Sequence, residues 1–297
     1  MKNLLAEINL KNNPMNFVQQ QKEAASEYGK LYHCCSSEAF LSIIKKKQFW
    51  LSNLTEVNDR DEIKAIDSSQ FRKAFYVGCF TYDDNVSEDH WNEYASLTDG
   101  ILFSVKKEWF LRKAYFLDGN YKEMHDEPFQ IFSQKEAAEQ EFKQKALRGY
   151  IGGINPYFVF DFDFYKIYYS NSLVPQIENE ADIIIGDVSM PIHILFPIVA
   201  GIIKKEEGIS YRVGRAPRHK VWKEEHEVRL KVGIERLYEL SDKDVLEDNT
   251  KIAVELSPNA FQEIDVRFSP QMPEKRKIEI LGKISQEIHG GVLNLMD

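Results

Sequence analysis

Short runs rich in aromatic and β-branched residues recur along the chain and constrain its fold more than any other feature: FYVGCFTY (75–82), GILFSV (100–105), YKIYYS (165–170), KIAVEL (251–256) and EIDVRF (263–268). Runs of this kind read as strands. Segments with helical spacing lie between them, without a strict strand–helix–strand alternation. That pattern argues against a doubly wound parallel sheet. It predicts an α+β domain with a central, mostly antiparallel sheet flanked by helices.

Residues 1–30 read as a helical, polar lead-in, and 31–297 as one domain with an insertion around 106–165. KLYHCC (30–35) is a strand, after which Ser36 or Ser37 caps the helix EAFLSIIKKK (38–47), with Phe40, Ile43 and Ile44 at helical spacing. Asp59 and Glu62 form a possible capping box for a helix to about residue 75, and Ser133 with Glu136 another for QKEAAEQEFKQKALR (134–148). The polar stretch DDNVSEDHWNEYASLTD (83–99) reads as a loop, as does 150–165, and a helix is expected over 192–205. Pro273 opens a final helix in which Leu281, Ile284 and Ile288 share a face.

The formal charge of −9 argues against general coating of nucleic acid, which rests on lysine and arginine. Cys34, Cys35 and Cys79 fit neither an even disulfide set nor metal-ligand spacing, so a cytoplasmic setting is expected. The N-terminal residues lack a signal-peptide pattern. The most apolar stretch, 190–203, carries two prolines and falls short of the roughly 20 residues of a membrane span. No membrane partner is expected.

WKEEHEVRL (222–230) is the stretch with most chemistry in it. As a strand it sends Glu225, Glu227 and Arg229 to one face, and His226, Val228 and Leu230 to the other, core-facing side. The acidic row is either a solvated face or a set of carboxylates converging on a ligand. Upstream, Arg212, Arg215, Arg218, Lys220 and Lys223 run without an intervening acid, which suits a phosphate-bearing ligand or a solvated basic loop. His33, at a strand end, is either a ligand contact or a satisfied core histidine. Asn58 and Asp59 form a helix-capping turn or a ligand contact. Trp91 and Tyr94 either anchor their loop or stack on a flat ring. His219 and His226 match no common zinc spacing, and no metal is expected.

Taken in order, YHCCSSEAFLSIIKKKQFWLSNLTEVNDRDE, HWNEYA with DGILFSV, and KVWKEEHEVRL resemble the bacterial domain-of-unknown-function family 2971, over about residues 31–235. Two positions depart from its pattern: Arg60 stands where a proline is usual, and Asn92 where an arginine is usual. More distantly, the ordered His33, Tyr94 and Glu227 resemble the His-Tyr-Glu variety of the ADP-ribosyltransferase-like superfamily, whose three residues lie on a split β-sheet.

That resemblance implies NAD as substrate. Glu227 would hold the ribose 2′-hydroxyl and favour oxocarbenium character, and Glu225 would deprotonate an acceptor. Tyr94, with Trp91 near it, would stack on nicotinamide, and His33 would bond the adenosine ribose. Arg215, Arg218 or Lys220 would meet the pyrophosphate, with Asn58, Asp59 and Arg229 also on the nucleotide. The acceptor, protein or nucleic acid, is left open, and a phage-defence or stress setting is one expectation. A non-catalytic nucleotide or nucleic-acid sensor is the alternative. A magnesium nuclease using Asp59, Asp61, Glu62, Glu225 and Glu227 is a third.

Overall fold

Antiparallel ladders carry most of the backbone pairing in the computed structural model, which describes residues 14–59, 74–116, 129–130, 157–171, 182–185, 188–191, 201–211, 215–236, 250–288 and 290–296. Helix α1 (Pro14–Ser26) leads into strand β1 (Leu31–Ser36), helix α2 (Ser37–Lys46), strands β2 (Gln48–Asn53) and β3 (Phe75–Thr81), and helix α3 (Glu88–Tyr94). Strands β4 (Gly100–Val105), β5 (Phe110–Phe116), β6 (Phe129–Gln130), β7 (Tyr157–Lys166) and β8 (Tyr168–Tyr169) follow. Next come β9 (Asp182–Ile185), β10 (Val188–Pro191), β11 (Ile203–Lys204), β12 (Glu207–Ser210), β13 (Arg218–Val221) and β14 (Glu227–Arg236). The last elements are β15 (Lys251–Leu256), β16 (Glu263–Phe268), helix α4 (Glu274–Glu287) and β17 (Val292–Leu295). The chain is α+β, with a large, mostly antiparallel sheet flanked by helices.

The sheet forks at β3. One edge of β3 is taken along its whole length by β14, from Glu227 opposite Thr81 to Gly233 opposite Phe75. The other edge is shared: β1 pairs at Tyr32–Thr81, and β2 pairs at Ser52–Val77 and Asn53–Tyr76. From β1 one arm continues through β4, β16 and β17, and from β2 the other runs through β15, β5 and β6. Gly78, Cys79 and Phe80 lie in the crotch between them. A side chain at Gly78 would place its Cβ 2.5 Å from Leu51 Cδ2 and 3.2 Å from Phe49 Cε1, so glycine lets the β2 arm close on β3.

Strand β14 shows how the sequence builds the centre. Val228, Leu230, Val232 and Ile234 alternate onto one face and are fully buried. They join a core of Phe40 and Ile44 from α2, Ile280 and Ile284 from α4, and the rings of Phe49, Phe80, Phe103, Phe110 and Phe164. Helix α2 starts as its sequence demands, with the Ser36 side chain accepting from Ala39 N at 3.2 Å.

Several expectations are corrected. Residues 157–166 form a strand rather than a loop, because Phe158, Phe160, Phe162 and Phe164 repeat with period two, which outweighs the glycines and proline upstream. Ile203–Lys204, expected at the end of a helix, pairs in parallel with Tyr168–Tyr169, while 192–200 lies outside the described residues. The 83–99 loop contains α3, whose N-cap Ser87 accepts from His90 N at 3.2 Å. Strands β5 and β7 take parts of the expected 106–165 insertion into the main sheet. The helices expected over 59–75 and 134–148 fall almost wholly outside the described residues.

Candidate functional site

A pocket partly open to solvent sits at the fork. His33 comes to its wall from β1, Cys79 and Thr81 from β3, His90 and Tyr94 from α3, and Glu225 and Glu227 from the entry to β14. The three residues matched to the His-Tyr-Glu pattern therefore line one hollow.

His33 spans the fork. Its Nδ1 lies 2.9 Å from the Cys79 carbonyl, and since a carbonyl only accepts, Nδ1 carries the hydrogen and Nε2 is the acceptor. Phe49, Phe80 and Phe103 surround the ring, with centroids 4.8, 5.7 and 5.7 Å away. Enclosure among these rings pushes the imidazole pKa down to about 4, so it is neutral at physiological pH.

Helix α3 presents His90 and Tyr94 one turn apart on the same face, ring centroids 4.7 Å apart. It is fixed from behind by Trp91, packed on Cys34 and Leu102, and by buried Glu93. Glu93 accepts from Ser210 Oγ at 2.6 Å, Asn58 Nδ2 at 3.1 Å and Arg218 Nη2 at 2.6 Å.

The acidic pair is built differently from a strand row. Trp222–Glu225 form a turn of 3-10 helix, and His226 takes a left-handed conformation at φ 50° before β14 begins at Glu227. The alternation expected for His226 is thus broken: its ring leaves the core, stacks on Tyr82 at 5.1 Å, and sets Nδ1 3.2 Å from Asp83 Oδ2. Glu225 and Glu227 nevertheless converge, because Lys204 Nζ bridges them, at 3.1 Å from Glu225 Oε2 and 3.2 Å from Glu227 Oε2.

Neither carboxylate faces bulk water. Tyr94 Oη donates to Glu225 Oε1, which also meets Lys220 Nζ at 2.5 Å. Arg229 Nε donates to Glu227 Oε1 at 2.6 Å. Burial alone would raise both acids, but Lys204 and Lys220 around Glu225 lower its pKa overall. Arg229, Lys204 and a hydrogen bond from the Cys79 thiol hold Glu227 still further below the usual range. The two acids in turn keep Lys204 charged, while burial, with Glu225 and Glu227 beside it, pushes the Tyr94 phenol well up, so that it remains a donor.

The other expected ligand contacts are placed elsewhere. Trp91 is 2% exposed and belongs to the core behind α3, not to the pocket wall. Asn58 bonds Glu93, while Asp59 is buried and bridges Ser210. Arg215 donates to the Asn92 carbonyl, Arg218 engages Glu93 and Asp89, and Lys223 pairs with Glu206 at 3.0 Å. Arg212 lies outside the described residues. The described residues of the basic run are therefore a set of clamps, chiefly on α3, rather than an open phosphate cradle. Lys220 and Arg229 serve the two acids from behind.

Sequence reasoning missed His90, Lys204 and the Cys79 thiol. His90 carried a readable signal, four residues before Tyr94. Lys204, at the end of an apolar stretch, carried none. Among the described residues no group of three or more His, Cys, Asp or Glu is arranged to hold a metal ion; Asp61 and Glu62 lie outside them. No described helix is long and apolar enough to cross a membrane. Comparison of the chain with protein families, with curated proteins and with solved structures gives no match.

Proposed function

We propose that the chain binds NAD with the nicotinamide–ribose end in the fork pocket, breaks the C1′–N bond, and passes ADP-ribose to water or to an acceptor molecule. The observation that carries this reading is the convergence of His33, Tyr94 and Glu227 on one hollow. The resemblance of the ordered motifs to family 2971 and to the ADP-ribosyltransferase-like superfamily supports it. So does the forked sheet.

The chemistry suits the residues. Departure of nicotinamide leaves oxocarbenium character on the ribose, which a fixed negative charge favours. Glu227 is such a charge: Arg229 and Lys204 hold it ionised and orient it. Tyr94 offers its ring to nicotinamide, and His33 Nε2 accepts from a ribose hydroxyl. The hollow is open on one side, so the rest of NAD would extend through that opening. Glu225, expected as a base, has both its oxygens occupied by Tyr94, Lys204 and Lys220. It is better read as the residue that positions Tyr94. A bacterial defence or stress system remains the proposed setting.

Calorimetry with NAD and nicotinamide release, with and without cell extract, test the reading. Heat on NAD binding, retained in Glu227→Gln, and release of nicotinamide, abolished in that variant, are expected. No heat and no release overturn it. A second reading, a nucleotide sensor without catalysis, is favoured by the saturation of both carboxylates with cations. It predicts NAD binding without nicotinamide release, unchanged by Glu227→Gln.

A further inference from the structure

We infer that His90 is the base of the fork pocket, taking the proton of the attacking water or acceptor hydroxyl; the inference rests on the NAD-cleaving reading above and names a residue for the step that Glu225 cannot serve. Other basic groups on the pocket wall are engaged. Glu225 Oε1 takes Tyr94 and Lys220, and its Oε2 takes Lys204. Glu227 is held by Arg229 and Lys204. His33 is wedged among three phenylalanine rings with Nδ1 on the Cys79 carbonyl, and its Nε2 is the atom assigned above to the ribose hydroxyl.

His90 differs from all of these. Among the described residues it makes a ring contact with Tyr94, and neither of its ring nitrogens has a hydrogen-bond partner. It stands on α3 directly beside the phenol proposed to meet nicotinamide, so its imidazole reaches the same reaction volume. Glu225 and Glu227 from the β14 entry, Lys220 from β13 and His33 from β1 are the charged and titratable groups facing it. Burial holds its pKa down to about 4, which leaves a lone pair available throughout the neutral range.

A weak base suffices for such a step. As nicotinamide leaves with the electron pair of the C1′–N bond, the ribose becomes electrophilic enough that the nucleophile gives up its proton late. The acceptor oxygen forms the new bond to C1′ with its own lone pair. Its proton passes to a ring nitrogen of His90 and then to solvent. With water as acceptor the products are nicotinamide, ADP-ribose and a proton.

The test uses the full chain, its nicotinamide release from NAD measured with and without cell extract, alongside His90→Gln and His90→Ala. Both variants are expected to lose about 10²–10⁴-fold in kcat, with NAD affinity within about threefold of wild type. Added imidazole is expected to restore about tenfold to His90→Ala, a recovery that a packing role would not give. Circular dichroism checks that each variant folds, and His90→Gln carries the test if His90→Ala does not. A kcat within about threefold of wild type, a loss confined to KM, or no rescue of folded His90→Ala overturns the role of His90 alone. A wild-type chain that neither binds nor cleaves NAD overturns the parent reading together with this one.

Discussion

His33 Nδ1 donates to the carbonyl of Cys79 at 2.9 Å, across the point where the two arms of the sheet part. The imidazole replaces a rung that β1 and β3 no longer make, since their pairing is at Tyr32–Thr81. It satisfies a carbonyl that would otherwise be left in the crotch of the fork.

Removing this bond therefore weakens the fold and not only the pocket. His33→Ala is expected to cost about 1–3 kcal/mol, from the unsatisfied Cys79 carbonyl and the hole among Phe49, Phe80 and Phe103. Urea unfolding measures it. A change below about 0.5 kcal/mol would mean that water repairs the fork unaided.

Stability should also depend on pH through the two pocket histidines. His33 and His90 are both depressed to about 4 by burial, against an ordinary value near 6.5. Between those limits the unfolded chain binds more protons, so folding stability rises with pH there. The contribution is whole above about pH 6.5 and is lost as pH falls towards 4. Glu227 acts in the same direction but in a more acidic window, below the ordinary carboxylate range. Urea midpoints from pH 4.5 to 7.5 should fall on acidification, and His90→Gln should flatten part of the slope. An identical slope in that variant would place its imidazole in an ordinary aqueous setting.

Half of β14 could be read from its letters. Val228, Leu230, Val232 and Ile234 declare a buried face by period two alone. The other half, Glu227, Arg229 and Lys231, spells a charged row, yet all three are buried. The neutralising partners, Lys204 and Asp161, come from distant parts of the chain, and local pattern holds no trace of them. Similarly, no acid interrupts the basic run, but Arg218 finds Glu93 across 125 residues. The order of His33, Tyr94 and Glu227 pointed to a shared hollow. What it could not convey was the αL turn at His226 that brings Glu225 into it.

Lys204 is expected to be the least replaceable residue of the site. Its ammonium joins two buried acids and lies 4.1 Å from the centroid of the Trp222 ring. Lys204→Met leaves Glu225 and Glu227 facing each other with less compensation, at a cost of about 3–5 kcal/mol. Adding Glu225→Gln should recover part of that loss, because it removes one of the two opposed charges. A double-mutant cycle by urea unfolding should show a coupling of at least about 1 kcal/mol. Strict additivity would mean that the lysine acts by packing on Trp222 alone.

The turn at His226 gives the sharpest test of how the acids are placed. At φ 50° the residue is left-handed, a conformation that costs an L-residue roughly 1–2 kcal/mol and that β-branched side chains resist most strongly. Asparagine tolerates it. His226→Asn and His226→Val both lose the stack on Tyr82 and the Asp83 contact, so the difference between them isolates the backbone. The valine variant is expected to be less stable than the asparagine variant by about 1–2 kcal/mol. If the chain instead relaxes towards an extended conformation, alternation would carry Glu225 away from its bonds to Tyr94 and Lys220. NAD binding by calorimetry should then persist in His226→Asn and weaken in His226→Val. Equal stability and equal affinity in the two would mean that the convergence of Glu225 and Glu227 depends on Lys204 and not on the turn.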